Sequence, residues 1–248
     1  MKNLLKSILS YFGYNLIQKN PSKVWVNKVE TPHGRRANFL QHLGIQVVVD
    51  VGAHTGWYAS DLRAFGYQGK IVSFEPQTVP FKELEERSYN DPDWICVKSA
   101  LGDSNSIATL NISEEKESSS LLRILPRHVD ALPNSGVVGS EQIQIVELDS
   151  VIAKYANPKE KVFLKLDVQG FEERVLKGAK ECMPQIQGIQ LEMSLKPLYE
   201  GEVLFSGLCN QMESMGFLLA WVESGFRNNR SGELLQLDGI FIRPHKSG

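Results

Sequence analysis

The chain has 248 residues, 42% hydrophobic and 23% charged, enough for one α/β domain with a substantial core and a short appendage. Its 27 Lys and Arg against 29 Asp and Glu give a net charge of -2, without the basic excess of a dedicated nucleic-acid binder. Cys96, Cys182 and Cys209 are three widely spaced residues with no zinc spacing, and they read as reduced, buried thiols of a cytoplasmic protein.

In chain order, Leu5, Ile8, Leu9, Phe12 and Leu16 recur at helical spacing and predict an amphipathic first helix. That helix packs on its own domain or on a second copy in a homodimer, or it attaches to a membrane surface. Lys6, Ser7, Ser10 and Asn15 interrupt the apolar stretch, which argues against a signal peptide. No apolar run approaches the ~20 residues of a membrane-spanning helix. Gln18–Arg36 is polar and irregular, with Pro21 and Pro32 as breakers, and Ala37–Leu43 is a short helix closed by Gly44.

Val47–Val51 then reads as a strand, Trp57–Phe65 as a helix, Lys70–Phe74 as a strand, Pro80–Ser88 as a helix and Trp94–Lys98 as a strand. Ala108–Ile112 and Gln142–Val146 are strands flanking a long segment rich in Ser and Pro, which is expected to carry function as a lid. Leu148–Tyr155 is helical, Val162–Leu166 a strand, Glu172–Lys180 a helix, Gly188–Glu192 a strand and Leu204–Met215 a helix. Phe217–Val222 and Leu237–Arg243 finish the chain as an antiparallel pair. The alternation predicts an α/β fold: a Rossmann-like, mostly parallel seven-stranded sheet with an antiparallel terminal strand and helices on both faces. The expected domain runs over 41–244, preceded by a helical extension over 1–40 and followed by a tail over 245–248.

The segment Asp50-Val-Gly52-Ala53-His54-Thr55-Gly56 joins a strand to a helix, so its backbone amides are placed at a helix N-terminus. Asp50 ahead of the first glycine would repel a pyrophosphate but not the ammonium group of an amino-acid moiety. That favours S-adenosylmethionine over a dinucleotide, although a tight turn without a ligand has the same pattern. Glu75, followed by Pro76 at the end of the next strand, is placed to accept hydrogen bonds from both ribose hydroxyls; a helix cap is its other reading. The turn after the third strand puts Ala100 and Leu101 near an adenine edge, while Asp103 needs no ligand to explain it. An antiparallel end to the sheet is the mark of a class I methyltransferase rather than of a dehydrogenase.

The succession VVVDVGAHTG, IVSFEP, KSALGD, FLKLDVQGFEERVLKGA, IQLE and LDGIFIR resembles the FkbM family of S-adenosylmethionine-dependent methyltransferases. The likeness covers Val47 to Arg243, and KLDVQGFE is its most distinctive part. It implies O-methylation of a small-molecule hydroxyl on a sugar, polyketide or other specialised metabolite. The family commonly has Asn where this chain has His54, a departure that adds a pH-sensitive group to the cofactor loop.

Ligands of open α/β sheets lie beyond the carboxyl ends of the strands. There Asp167 and Glu192 end two strands, Asp238 begins an antiparallel one, and Lys165 projects to the side of Asp167. These four are the candidate catalytic residues, and Asp167 is also a candidate cofactor contact. One carboxylate serves as general base, or Asp167 and Glu192 hold a divalent cation such as Mg²⁺, by analogy with metal-dependent O-methyltransferases. Lys165 has a second reading, a buried ion pair with Asp167 or Glu192, and Glu172 a second reading as a helix-terminal charge. Ser118–Leu121 is either a substrate-facing segment or a solvated loop, and Trp221, Phe226 and Arg227 line a cleft or belong to the core. Competing functions are a nicotinamide-dependent oxidoreductase, for which a GxGxxG fingerprint is missing, and a non-catalytic S-adenosylmethionine-binding scaffold.

Overall fold

In the computed structural model, which describes residues 14–18, 23–27 and 31–244, β1 (Tyr14–Gln18) pairs antiparallel with β2 (Lys23–Asn27). Leu16 therefore lies on a strand rather than on the expected amphipathic helix, the rest of which falls outside the described residues. The next element, α1 (Pro32–Leu43), begins at Pro32 and not at Ala37. The Thr31 hydroxyl caps it by accepting from Gly34 N at 3.2 Å. Pro32 occupies the first helical position, where a missing N–H costs nothing, so it starts the helix instead of breaking the chain.

The succession continues with β3 (Val47–Val51), α2 (Trp57–Ala64), β4 (Lys70–Phe74), α3 (Thr78–Ser88) and β5 (Trp94–Val97). Next come β6 (Ala100–Leu101), β7 (Ser106–Ser113), α4 (Pro126–Ala131), β8 (Val137–Val146) and α5 (Leu148–Val151). The chain ends with β9 (Val162–Leu166), α6 (Glu172–Lys177), β10 (Ile186–Ser194), α7 (Phe205–Ser214), β11 (Leu218–Ser224) and β12 (Gln236–Ile242).

Among the described residues the main sheet has seven strands in the order β11-β12-β10-β9-β3-β4-β5. β12 is antiparallel to both its neighbours, β10 and β11, because no helix separates β11 from β12 to carry the chain back across the sheet. The other neighbours are parallel. Val47, Val49, Val51, Leu164 and Leu166 pack against Leu148, Val175, Leu176, Leu208 and Met212 on one face. On the other face Val48, Ile71 and Phe163 pack against Ala37, Leu40, Leu62 and Leu84. Both faces are thus covered by helices, and each such buried side chain contributes about 1.5–3 kcal/mol.

The region read as a long lid loop between two short strands is more ordered than that. β6, β7 and β8 form a second sheet in the order β6-β8-β7. Ala100–Leu101, expected to be a turn, is a strand paired with Ile145 and Val146. The connection from β7 to β8 folds into a 3-10 turn at Lys116–Ser118 and helix α4. It is anchored by a small apolar cluster of Ala131, Leu198, Tyr199 and Leu235.

Candidate active site

Alternation along β3 sends Val47, Val49 and Val51 to one face and Val48 and Asp50 to the other. Asp50 lies in register with Ser73 on β4 and Lys165 on β9, and Lys165 with Gln190 on β10. Closer to the strand ends, Glu192 pairs with Asp238, and Asp238 with Glu223 on β11. The sheet therefore carries two polar rows on one face at its ligand-binding edge.

The inner row is a closed set of partners. Lys165 Nζ lies 3.3 Å from Asp50 Oδ1 and 3.4 Å from Asp167 Oδ2, and it donates to the Gly52 carbonyl at 3.1 Å. Burial alone would lower Lys165, but Asp167 and Asp50 outweigh it and raise the ammonium above its ordinary value. Ser73 Oγ donates to Asp50 Oδ2 at 3.2 Å, and Trp94 Nε1 to Ser73 Oγ at 3.0 Å. Asp50, read as facing an ammonium group, is fully buried in this set and does not line the cleft. Lys165 forms the ion pair of its second reading, with Asp167 and Asp50 rather than Glu192, and it also lines the cleft.

Both glycines of the turn are required by packing. Gly52 has φ 73°, and a Cβ there would sit 1.8 Å from the carbonyl oxygen of Asp167. At Gly56, φ 83°, a Cβ would meet Leu84 and Trp94 at 2.7 and 2.9 Å. Gly56 is accordingly absent from the cleft wall, whereas Gly52, Ala53, His54 and Thr55 form it. The cleft has a volume of about 830 Å³ and is also lined by Glu75, Pro76, Ala100, Leu101, Lys165, Asp167, Glu192 and Asp238. One cavity thus gathers every candidate residue except Asp50 and Gly56.

At the turn end of this cleft, Glu75 is buried and accepts from His54 N at 2.8 Å through Oε2 and from Gln77 N at 2.7 Å through Oε1. Burial raises its carboxyl to about 7 against the pull of those two amides. His54 takes a left-handed backbone, φ 48°, and its two ring nitrogens are buried without a hydrogen bond; Glu117 Oε1 is 3.7 Å from Nδ1. Burial lowers its pKa. Asp103 stays outside, paired with Arg174 at 2.7 Å on the surface.

At the opposite end the carboxylates are crowded. Burial, followed by the neighbouring Asp167 and Asp238, raises Glu192 well above the usual carboxylate range, and burial raises Asp238 to about 6. Glu192 Oε2 accepts from Gln169 Nε2 at 2.7 Å and from Gln236 Nε2 at 3.0 Å. Gln169 Nε2 also donates to Asp167 Oδ1 at 2.8 Å. An amide therefore fills the point between Asp167 and Glu192 where a shared cation would sit. Among the described residues no group of three or more His, Cys, Asp and Glu side chains is disposed to hold a metal. Asp167 and Glu192 as arranged do not fit the Mg²⁺ reading.

Residues that sequence reasoning passed over complete the wall. Arg36 of α1 is buried and pairs with Glu223 at 2.5 Å, with its guanidinium 4.9 Å from the Tyr58 ring centre. Tyr58 OH donates to Gln190 Oε1 at 3.3 Å. Gln190 and Gln236 were legible in principle as polar residues inside apolar strands, whereas Gln169 and Arg36 carried no such signal. Glu172 is buried and accepts from Val168 N at 3.0 Å and Gly170 N at 3.3 Å, so it fixes the loop after β9. Ser118–Leu121, His128, Phe226 and Arg227 line the cleft from the lid side, while Trp221 packs on Phe39 outside it.

The profile of the methyltransferase FkbM domain matches residues 50–219. No curated protein matches the chain. Among solved structures, an uncharacterized protein from Listeria monocytogenes is 7% identical, with 86% of this chain and 68% of that chain covered at TM-score 0.48. An rRNA methylase from Streptococcus thermophilus is 9% identical, with 87% and 98% covered at TM-score 0.45. A SAM-dependent methyltransferase from Aquifex aeolicus is 13% identical, with 87% and 95% covered at TM-score 0.42.

Proposed function

Because the chain belongs to the FkbM methyltransferase family, we propose that it methylates a hydroxyl of an uncharged, polyhydroxylated small molecule, such as a sugar or polyketide. The observation that supports this reading is the single cleft with a ribose-type carboxylate, Glu75, at one end and Asp167 at the other. S-adenosylmethionine supplies an electrophilic methyl group on a sulfonium. The residues suited to hold it are the turn Gly52–Thr55, Glu75 and the β6 residues Ala100 and Leu101, and the ring of His54, whose nitrogens make no hydrogen bond, offers a further polar group.

The chain's own contribution is to orient the acceptor and take its proton. The Asp167 side chain is 37% exposed beside the fully buried Asp50, so it is the carboxylate of that cluster open to an acceptor. Lys165 lies 3.4 Å from Asp167 and fixes its position, and the Asp167 carboxylate accepts the hydroxyl proton as the carbon–oxygen bond forms. Burial and the neighbouring carboxylates raise Glu192 well above the usual carboxylate range, which lessens the negative charge beside Asp167. Ser118–Leu121 and His128 close the cleft from above and limit water.

Nucleic acid is a poor fit to this reading. Glu115, Glu117, Asp167, Glu192 and Asp238 line the cleft; of its Lys and Arg residues, Arg36 and Lys165 are engaged in ion pairs, which leaves Lys116 and Arg227 against these five acids. A phosphate backbone needs unpaired cations along its path. The test is transfer of isotope-labelled methyl to a panel of sugars, polyketide alcohols, amines and RNA, with the new bond located by NMR. Label on oxygen of a neutral polyol supports the proposal; label on nitrogen or on RNA overturns it.

A further inference from the structure

The loop after β9, within the KLDVQGFE stretch, holds a specific hydrogen-bonded arrangement. Gln169 adopts a left-handed backbone, φ 54°, followed at once by Gly170 at φ 93°. A non-glycine residue pays for that conformation, and such strain persists where surrounding contacts over-determine it. The contacts are specific. Its Nε2 donates to Asp167 Oδ1 at 2.8 Å and Glu192 Oε2 at 2.7 Å, and its Oε1 accepts from Tyr199 OH at 2.6 Å. Ser120 Oγ binds its main-chain carbonyl at 2.7 Å.

Tyr199 is fully buried, and its hydroxyl also reaches the Ser118 carbonyl at 3.3 Å. As a hydroxyl donor it requires the carbonyl side of the Gln169 amide, so the NH₂ side must point at the two carboxylates. A residue with two donor hydrogens and no charge satisfies both carboxylates at once. It draws them together without the divalent cation that two such groups would otherwise recruit.

We propose that Gln169 is a positioning residue whose amide stands in for a divalent cation between Asp167 and Glu192, aiming Asp167 at the acceptor and making the enzyme metal-independent. Tyr199 sets the amide's orientation, and the backbone strain at position 169 is the cost of that placement. The inference rests on the reading of Asp167 as the proton acceptor.

The experiment compares wild type, Gln169→Leu, Gln169→Glu and Tyr199→Phe with three readouts. In thermal unfolding with and without MnCl₂, wild type, Gln169→Leu and Tyr199→Phe should not respond. Gln169→Glu completes a set of three carboxylates and should be stabilised by Mn²⁺. In calorimetry with S-adenosylhomocysteine, all four should bind with similar affinity, which also shows that each is folded. In steady-state assays, Gln169→Leu should lose kcat by about 10–100-fold at unchanged KM for S-adenosylmethionine, the usual cost of an outer-shell partner. Tyr199→Phe should fall between it and wild type, and wild type should keep full activity in chelator. Stabilisation of wild type by Mn²⁺, chelator-sensitive wild-type activity restored by Mg²⁺, or wild-type kcat in Gln169→Leu would each overturn the proposal. Failure of wild type to bind S-adenosylhomocysteine would instead overturn the methyltransferase reading, and the Mn²⁺ comparison would still report on Gln169.

Discussion

The backbone amide of His54 donates to Glu75 Oε2 at 2.8 Å, which ties the turn after β3 to the end of β4. Gln77 N holds the other oxygen at 2.7 Å. Two motifs separated in sequence are thus one hydrogen-bonded unit at this end of the cleft. Four consequences for stability and binding can be measured.

Gly52→Ala should cost about 3 kcal/mol or more, because a Cβ would lie 1.8 Å from the Asp167 carbonyl at a φ of 73°. Chemical denaturation measures the loss, and a variant of wild-type stability would mean that the close approach of β3 and β9 is misread.

Arg36→Ala should destabilise by about 3–5 kcal/mol, since it leaves the largely covered carboxylate of Glu223, 12% exposed, opposite no cation. Replacing both residues, Arg36→Met with Glu223→Leu, should restore most of the loss. Urea unfolding of the single and double variants gives the coupling between α1 and β11.

Stability should rise as pH falls from 8 to about 6.5. Burial raises Glu172 to about 8, Glu75 to about 7 and Asp238 to about 6, so the folded state binds protons that the unfolded chain releases. The stability these groups contribute is complete at acid pH and is lost as pH rises through those values. Below the ordinary imidazole value of 6.5, burial of His128, lowered to about 4, and of His54 opposes this gain, but two histidines do not outweigh the larger set of buried carboxyls, so the gain slows without reversing. Melting temperature should therefore rise steeply from pH 8 to 6.5 and more shallowly below that, and Glu172→Gln should flatten the alkaline part of the curve.

His54→Asn should preserve the turn, since Asn tolerates the left-handed backbone better than His. Wild type should bind S-adenosylhomocysteine more tightly at pH 6 than at pH 8 by a larger factor than the variant does, as a protonated imidazole favours a bound carboxylate. Equal pH dependence in the two proteins would remove His54 from cofactor binding.

The sheet was legible because its strands are short apolar runs whose polar exceptions, Asp50 and Lys165, fall on one face. The antiparallel ending was legible for the same kind of reason, as no helical segment separates β11 from β12. Pro32 was misjudged although its signal was present: Thr31 before it is a helix cap, and a proline after a cap begins a helix. The second sheet was hidden because the Ser and Pro content between residues 113 and 136 resembles a loop. Only the long pairing of β7 with β8 shows otherwise. Asp50 was assigned to the ligand on motif position, but its burial against Lys165 depends on the register of β3 with β9. The Gln169–Tyr199 contact joins residues thirty positions apart and has no local signature.

The most direct test of the account is calorimetric titration of purified protein with S-adenosylhomocysteine, run on wild type, Glu75→Ala and Asp167→Asn. Wild type should show one site, Glu75→Ala should bind at least tenfold more weakly, and Asp167→Asn should keep its affinity while losing methyl transfer. Folded wild-type protein that gives no binding heat, or Asp167→Asn that transfers methyl at the wild-type rate, would contradict it.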